Sequence, residues 1–349
     1  MQESQNPNPP RDWITLLGDS ARTGGLGLRP TREPTRVRWQ CRVGRSVRTA
    51  PVVRGSTLYV TSIEGAMQAI DVKTGRARWV FQAGERVHST PSLCDDHVLF
   101  GCDDGKVYAI NSDSGREVWS ANTGAEVWTS PVFRHGTIYF GSADAYLYAV
   151  DAKSGILRWK TALGGRIYSS AYVAETKLYV GCGDGKLYCI DIATGKTLWS
   201  SATGNAIDSS PAIEGDTVIV GSEDFSVYAF DTQTGAVRWK FPTGLGIASS
   251  PAVNQGLAVI GSKDGRLYAL TTESGQLRWK VQAGDVVTSP PVFAEGVVCI
   301  QAAGLIAFDI GTGKMAWRAG LGGALQSAPV LTGDGIYISS LDGEIYALE

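Results

Sequence analysis

The sequence predicts an all-β chain folded as an eight-bladed β-propeller, each blade a four-stranded antiparallel sheet, and three observations carry that prediction. Tryptophans stand at Trp39, Trp79, Trp119, Trp159, Trp199, Trp239, Trp279 and Trp317, the first seven spaced by 40 residues and the last following after 38. A fixed period of this size marks a solenoid, a propeller or an array. Between the tryptophans, short runs of β-branched and aromatic residues such as 137–141 and 187–191 are separated by Asp-Gly and Thr-Gly turns. That is the pattern of hairpin-linked strands, and no unit keeps a helical period. The ends complement one another: the last unit, 325–349, stops before its outer strand, and the chain opens with an orphan outer strand at 35–39. Joined, they complete an eighth sheet and close the ring, which removes the open joint a solenoid would leave.

Each unit repeats four segments from Val47 onward. An inner segment (47–53, with a copy at 207–213) leads through a short turn into an apolar run. An Asp-Gly turn (Asp104-Gly105, Asp264-Gly265) follows, then a third strand, a Thr-Gly turn and the outer strand that ends at tryptophan. The stretch 69–79, Ala-Ile-Asp-Val-Lys-Thr-Gly-Arg-Ala-Arg-Trp, sets out the logic of the last turn. Alanine allows close approach of sheets, aspartate caps turn amides, glycine supplies positive φ, and tryptophan buries a large plate against the next blade. Residues 1–34 fall outside the repeat, with five prolines and the patch Gly24-Gly25-Leu26-Gly27. They are expected to be irregular, with Trp13-Ile14-Thr15-Leu16-Leu17 as an apolar anchor, and 35–349 is expected to be one propeller.

Composition excludes several functions. Lysine plus arginine (32) nearly balance aspartate plus glutamate (34), for a formal charge of -2. A nucleic-acid binder needs a concentrated basic face. Nine arginines against four acids in the first 50 residues read as a solvated face. No apolar run approaches the ~18 residues of a membrane span. The six cysteines contain no CxxC pair, the three histidines fall in different repeats, and no metal-ligand spacing is present. Residues 1–10 have no apolar core of a signal peptide.

The motif Ala-x-Asp-x-x-Thr-Gly-x-x-x-Trp resembles the tryptophan-docking motif of the pyrroloquinoline-quinone-type (quinoprotein-like) eight-bladed propellers. It is kept at 69–79 and 307–317; only the first position departs at 189–199, and Asn111 replaces the aspartate at 109–119. The segment from Asp12-Trp13 through Arg22-Thr23-Gly24 resembles the lead-in common ahead of these propellers. A WD40 reading fails, because no repeat tryptophan is followed by aspartate.

Function is expected where the repeats disagree. The position three before the proline-aligned site reads Arg48, His88, Trp128, Tyr168, Asp208, Ala248, Thr288 and Gln326, while its preceding neighbour is always aliphatic, from Val47 to Leu325. Two turns lose their glycine, at Asp144-Ala145-Tyr146 and Asp224-Phe225-Ser226, and are expected to place aromatics at exposed tips. With Arg45, Glu85, Arg86, Glu126 and Arg166 these make a mixed aromatic and charged rim, the composition that interfaces use as anchors. The candidate binding residues are Arg48, Arg86, His88, Glu126, Trp128, Tyr146, Arg166, Tyr168, Asp208 and Phe225; no catalytic residue is assigned. Blade 7, shortened at Ala302-Ala303-Gly304, is expected to leave a notch.

The resemblance implies two classes of function. One is a non-catalytic protein-interaction scaffold or sensor, similar in kind to the bare-propeller lipoprotein of the outer-membrane barrel-assembly machinery: exported, monomeric, binding a protein and no cofactor. The other is a quinone-dependent dehydrogenase with calcium, for which Glu126, Asn205 and Asp208 would be the ligands and His88 a base. Members of that class generally carry long insertions and a vicinal Cys-Cys pair, and neither is present in this sequence.

Overall fold

A computed structural model describes residues 33–34, 36–302, 304–320 and 327–349. The anchor at 13–17, nearly all of the irregular segment 1–34, Ala303 in the expected notch, and Leu325 and Gln326 lie outside the described residues. The described strands form eight antiparallel sheets of four. The chain opens with β1 (Val37–Arg42). Blade 1 follows as β2 (Val52–Arg54), β3 (Thr57–Thr61), β4 (Ala66–Asp71) and β5 (Ala77–Gln82), hydrogen-bonded in that order. Six further blades, β6 to β29, repeat the plan. Blade 8 consists of β30 (Val330–Thr332), β31 (Gly335–Ser339), β32 (Glu344–Leu348) and β1 from the other end of the chain. The two termini pair with Val37 opposite Leu348 and Gln40 opposite Tyr346, so the ring closes as the sequence predicts.

Position in the blade decides each strand's composition. The second strand lies between neighbouring blades, so every residue of Thr57–Thr61 is buried. Such strands read as continuous apolar runs because both faces are covered. The outer strand has one covered face, and Ala77–Gln82 alternates between exposed and half-buried.

Blades are joined by the repeated motif. Asp71 Oδ1 accepts the Lys73 and Thr74 amides and the Thr74 hydroxyl, which shapes the turn. The Arg78 guanidinium on Asp71 Oδ2 is the main reason its carboxyl is held down at about 2. The tryptophan then crosses to the next blade. Trp39 Nε1 donates to the Val72 carbonyl at 2.8 Å, Trp79 to Ser112 at 2.9 Å, and the series continues to Trp279 on Ile310 at 2.8 Å. Seven indoles, from Trp39 to Trp279, also lie against the turn glycine of that next blade. A Cβ on Gly115 would stand 2.6 Å from Cδ2 of Trp79, and one on Gly75 would stand 2.8 Å from Cδ2 of Trp39. This glycine therefore serves twice, through its φ of 69–70° and through its missing side chain. Trp39 performs the same docking across the chain ends, from blade 8 to blade 1.

The inner strands carry a second joint that the sequence pattern alone did not reveal. The amide of Ser130 donates to Ser170 Oγ, that of Ser170 to Ser210 Oγ, and that of Ser210 to Ser250 Oγ, each a residue 40 positions on. At closure Ser339 Oγ donates to the Thr49 carbonyl at 2.7 Å.

The double duty of the turn glycine can be tested by paired substitutions. Gly115→Ala meets both a positive φ and the Trp79 ring, and should cost about 2–4 kcal/mol. Gly215→Ala has a comparable φ of 58° but open space around it, and should cost only about 1–2 kcal/mol. Urea unfolding of the two variants measures the difference, and equal losses would remove the docking contact from the account.

Candidate functional site

The loop from each outer strand to the next inner strand runs beside the turn between second and third strands. Asp103 N donates to the Arg86 carbonyl, Ala143 N to Glu126, Gly183 N to Arg166 and Lys263 N to Gly246. The first strands of blades 2 to 4 and of blades 5 to 7 pack on one another, so the loop positions just before them share one mouth of the central channel. There the aliphatic position points inward: Val47, Val87, Val127, Ile167, Ile207, Ile247 and Val287 are all buried. Its neighbour is left facing the mouth, which is why one position is constant and the next differs from blade to blade.

Three of those neighbours form a stack across blades 2, 3 and 4. The His88 and Trp128 rings lie 4.6 Å apart between centroids, and Trp128 and Tyr168 lie 4.5 Å apart at 17°. The Arg166 guanidinium sits 5.0 Å from the Tyr168 ring centre. Beneath the stack, Asp103 accepts from Trp128 Nε1 at 2.8 Å and stands 3.6 Å from His88 Nε2. Trp128 stays 38% exposed, so a held indole edge faces solvent. Arg48 and Arg86 are exposed beside His88. Burial is the largest influence lowering the His88 pKa, with Arg48 and Arg86 acting the same way and Asp103 against them.

Asp208 continues the arc on blade 5 with the opposite charge. Its Oδ1 is buried and has no hydrogen-bond partner among the described residues. Burial, then Glu223, raises its pKa, while Arg166 and Lys263 oppose the rise. Glu223 is held by Lys263 Nζ at 2.7 and 2.8 Å. Asp103, Glu223 and Lys263 occupy one repeat position, immediately before the turn aspartate, that the sequence reading passed over. Its signal was the same disagreement between repeats, since the series runs Ile63, Asp103, Ala143, Gly183, Glu223, Lys263.

The remaining candidates divide. Glu126 is exposed at the mouth. Phe225 is 49% exposed with φ 70°, a strained tip as expected, but its carbonyl accepts from Thr243 beside the blade's own outer strand. Tyr146 departs from expectation. Ala145 takes the positive φ of 69° at the turn, and Tyr146 starts the third strand half-buried opposite Ala162. Lys160 Nζ lies 4.5 Å from its ring centre, so it belongs to the outer side of the blade and not to a tip. The three calcium candidates sit before different blades, Glu126 before blade 3 and Asn205 and Asp208 before blade 5. Asn205 Oδ1 accepts the Ala206 amide, and Asp208 has Glu223, Arg166 and Lys263 around it. Among the described residues no cluster of three histidine, cysteine or carboxylate groups has the spacing of a metal site. Trp128 has rings as neighbours on blades 2 and 4, His88 at 4.6 Å and Tyr168 at 4.5 Å between centroids.

A family model described as the β-propeller of the beta-alanine-activating enzyme matches residues 134–349. A second, the outer membrane protein assembly factor BamB, matches residues 31–142. No curated protein sequence matches the chain. Among solved structures, BamB from Moraxella catarrhalis superposes with a TM-score of 0.78 at 17% identity, over 90% of this chain and 99% of that one. The quinohemoprotein alcohol dehydrogenase ADHIIG from Pseudomonas putida HK5 superposes with a TM-score of 0.86 at 14% identity, over 98% of this chain and 80% of that one. A europium-containing methanol dehydrogenase gives 0.81 at 14%, over 99% and 98%. At these identities the likeness speaks for the fold alone.

The raised pKa of Asp208 sets a stability test with a definite sign. A carboxyl whose folded pKa lies above its unfolded value favours folding fully only below the unfolded pKa of about 4, and that contribution is lost as pH rises. Asp208→Asn should therefore raise the Tm at neutral pH, with the gain shrinking as pH falls through the carboxylate range. A lower Tm for the variant at neutral pH would show that Arg166 and Lys263 outweigh the burial.

Proposed function

Because the chain belongs to the pyrroloquinoline-quinone-type eight-bladed propeller repeat family, and to the β-propeller family of the beta-alanine-activating enzyme, we propose that it is a non-catalytic interaction scaffold whose partner docks on the channel mouth. The observation that carries this reading is the His88–Trp128–Tyr168 stack. Aromatic pairs of this geometry contribute about 0.5–1.5 kcal/mol beyond their burial, and here that stabilisation holds an indole edge in solvent. Rigid aromatic edges flanked by arginines are what hot spots are made of, because little conformational entropy is left to lose on binding. Arg48, Arg86 and Arg166 on blades 1, 2 and 4, against Asp208 and Glu223 on blade 5, give the mouth a polarity that orients a partner.

A partner protein is also what the assembly-factor match supports, and with it an exported, cell-envelope setting. Among the described residues no helix is long and apolar enough to cross a membrane. The runner-up, a quinone-dependent dehydrogenase, draws on the likeness to the alcohol dehydrogenases. Against it stand the occupied flanks of Trp128 and the scattered oxygen donors. A quinone would also meet no vicinal disulfide, since all six cysteines are free and five are buried.

The double change Trp128→Ala, Tyr168→Ala should reduce capture of the native partner from an envelope extract at least tenfold relative to the parent. Its unfolding free energy should fall by no more than about 2–3 kcal/mol, the worth of two ring contacts. Unchanged capture would move the interface off the mouth. In parallel, the protein mixed with pyrroloquinoline quinone and calcium should show no stoichiometric chromophore and no dye-linked alcohol oxidation. Stoichiometric quinone binding would overturn the scaffold reading.

A further inference from the structure

One blade joint departs from its neighbours away from the channel mouth. Two residues past each tryptophan the outer strand carries Cys41, Phe81, Ala121, Thr161, Ser201, Phe241, Val281 and Ala319. Between blades 1 and 2, Phe81 packs on Phe100 and Tyr108 of the next blade, with centroids 6.2 and 5.6 Å away. Between blades 5 and 6, Phe241 meets Tyr268 edge-on at 5.8 Å. Blade 3 offers the same floor as blade 2: Phe140 and Tyr148 stack at 5.3 Å and 5°, as Phe100 and Tyr108 stack at 5.3 Å and 18°. The residue that faces this floor is Ala121.

A cleft results. Thr161 and Ser201 tie the following two joints by donating to the Gly195 and Gly235 carbonyls at 2.5 and 2.6 Å. Alanine can neither fill the space nor make that bond. The open cleft of about 440 Å³ has Phe140 and Tyr148 on one side, Ala121 opposite, and Ser120, Asn122 and Lys160 at its polar edge. Small-molecule sites begin at about 300 Å³. Lys160 stands over the opening with its Nζ 5.8 Å from the Tyr148 ring centre. The matching lysine of blade 5, Lys240, lies 3.6 Å from the Asp224 carboxylate. Lys160 has no carboxylate at ion-pair distance among the described residues, and aromatic faces alone hold its charge.

We propose that the cleft between blades 2 and 3 binds a small aromatic carboxylate. Its ring takes the place that Phe81 and Phe241 fill from within the chain at their own joints, and its carboxylate meets Lys160. This site goes beyond the scaffold reading and uses no residue of the channel mouth.

The probe is 3-phenylpropionate, titrated into the full chain and followed by calorimetry and ligand-observed NMR. Saturable one-to-one binding is expected with a Kd of about 1 mM or tighter, the scale reached by a ligand of this size. Ala121→Phe supplies the ring from the chain itself, and should weaken binding at least tenfold while raising the Tm. Lys160→Gln, at an exposed edge, should weaken 3-phenylpropionate at least fivefold and leave the neutral 3-phenylpropanol unaffected. No saturation by 10 mM, or parental affinity in a folded Ala121→Phe variant, would overturn the proposal. So would a tenfold preference for a peptide ending in phenylalanine, which would make the occupant a protein terminus.

Discussion

Everything else in the molecule depends on the contact between a tryptophan and the turn glycine of the next blade. A single blade buries its second and third strands only when another sheet covers each face, so no blade has a core of its own. The indole reaches over that interface, donates its Nε1 hydrogen to the carbonyl three residues before the glycine in the series Trp79, Ser112, Gly115, and occupies the space a Cβ would need. The indole of Trp39 repeats the contact across the two chain ends, so the ring is held at its seam by the chemistry used elsewhere, together with the pairing of β1 and β32.

Constancy at the joint leaves the mouth free to vary. The aliphatic residue at the start of each described inner segment, from Val47 to Val287, is buried, and the turn aspartates from Asp104 to Asp264 accept tyrosine hydroxyls within their own blades at 2.5–2.6 Å. The residues beside these fixed points are constrained only by one another. On blades 2 to 4 they assemble an aromatic stack over Asp103, and on blades 5 and 6 a charged group built from Asp208, Glu223 and Lys263. Asp208 is held with one carboxylate oxygen buried and unpartnered, a cost to folding of the kind proteins accept where a surface has a task.

How much of this could be read beforehand follows from the range of each interaction. The blade count and strand order are legible because the repeat restates them along the chain, and the closure because the two incomplete ends complement one another. The φ of the turn glycine is legible too, since it belongs to one residue. Its second duty is not, because Trp79 and Gly115 meet only once two blades stand side by side. The same distance hides Asp103, which matters through Trp128 on the following blade. Tyr146 misleads for a local reason: it follows a lost glycine, but Ala145 takes the strained conformation and strand alternation sets the ring beside Tyr148 under Lys160. The small residue at Ala121 is plain in the sequence, whereas the cleft appears only when Phe140 and Tyr148 are placed opposite it.

Positions where the repeats agree hold the fold, and the proposed scaffold function assigns the partner to the mouth positions where they disagree. The most direct measurement is an alanine scan of Trp79, Trp119 and Trp239 alongside Arg48, His88, Trp128 and Tyr168, reading unfolding free energy and partner affinity for each variant. The tryptophans of the joint should lose about 3–5 kcal/mol of stability while their folded fraction keeps parental affinity. The mouth residues should lose affinity and little stability. Parental affinity throughout the mouth set, or stability losses there as large as at the joint, would contradict that assignment.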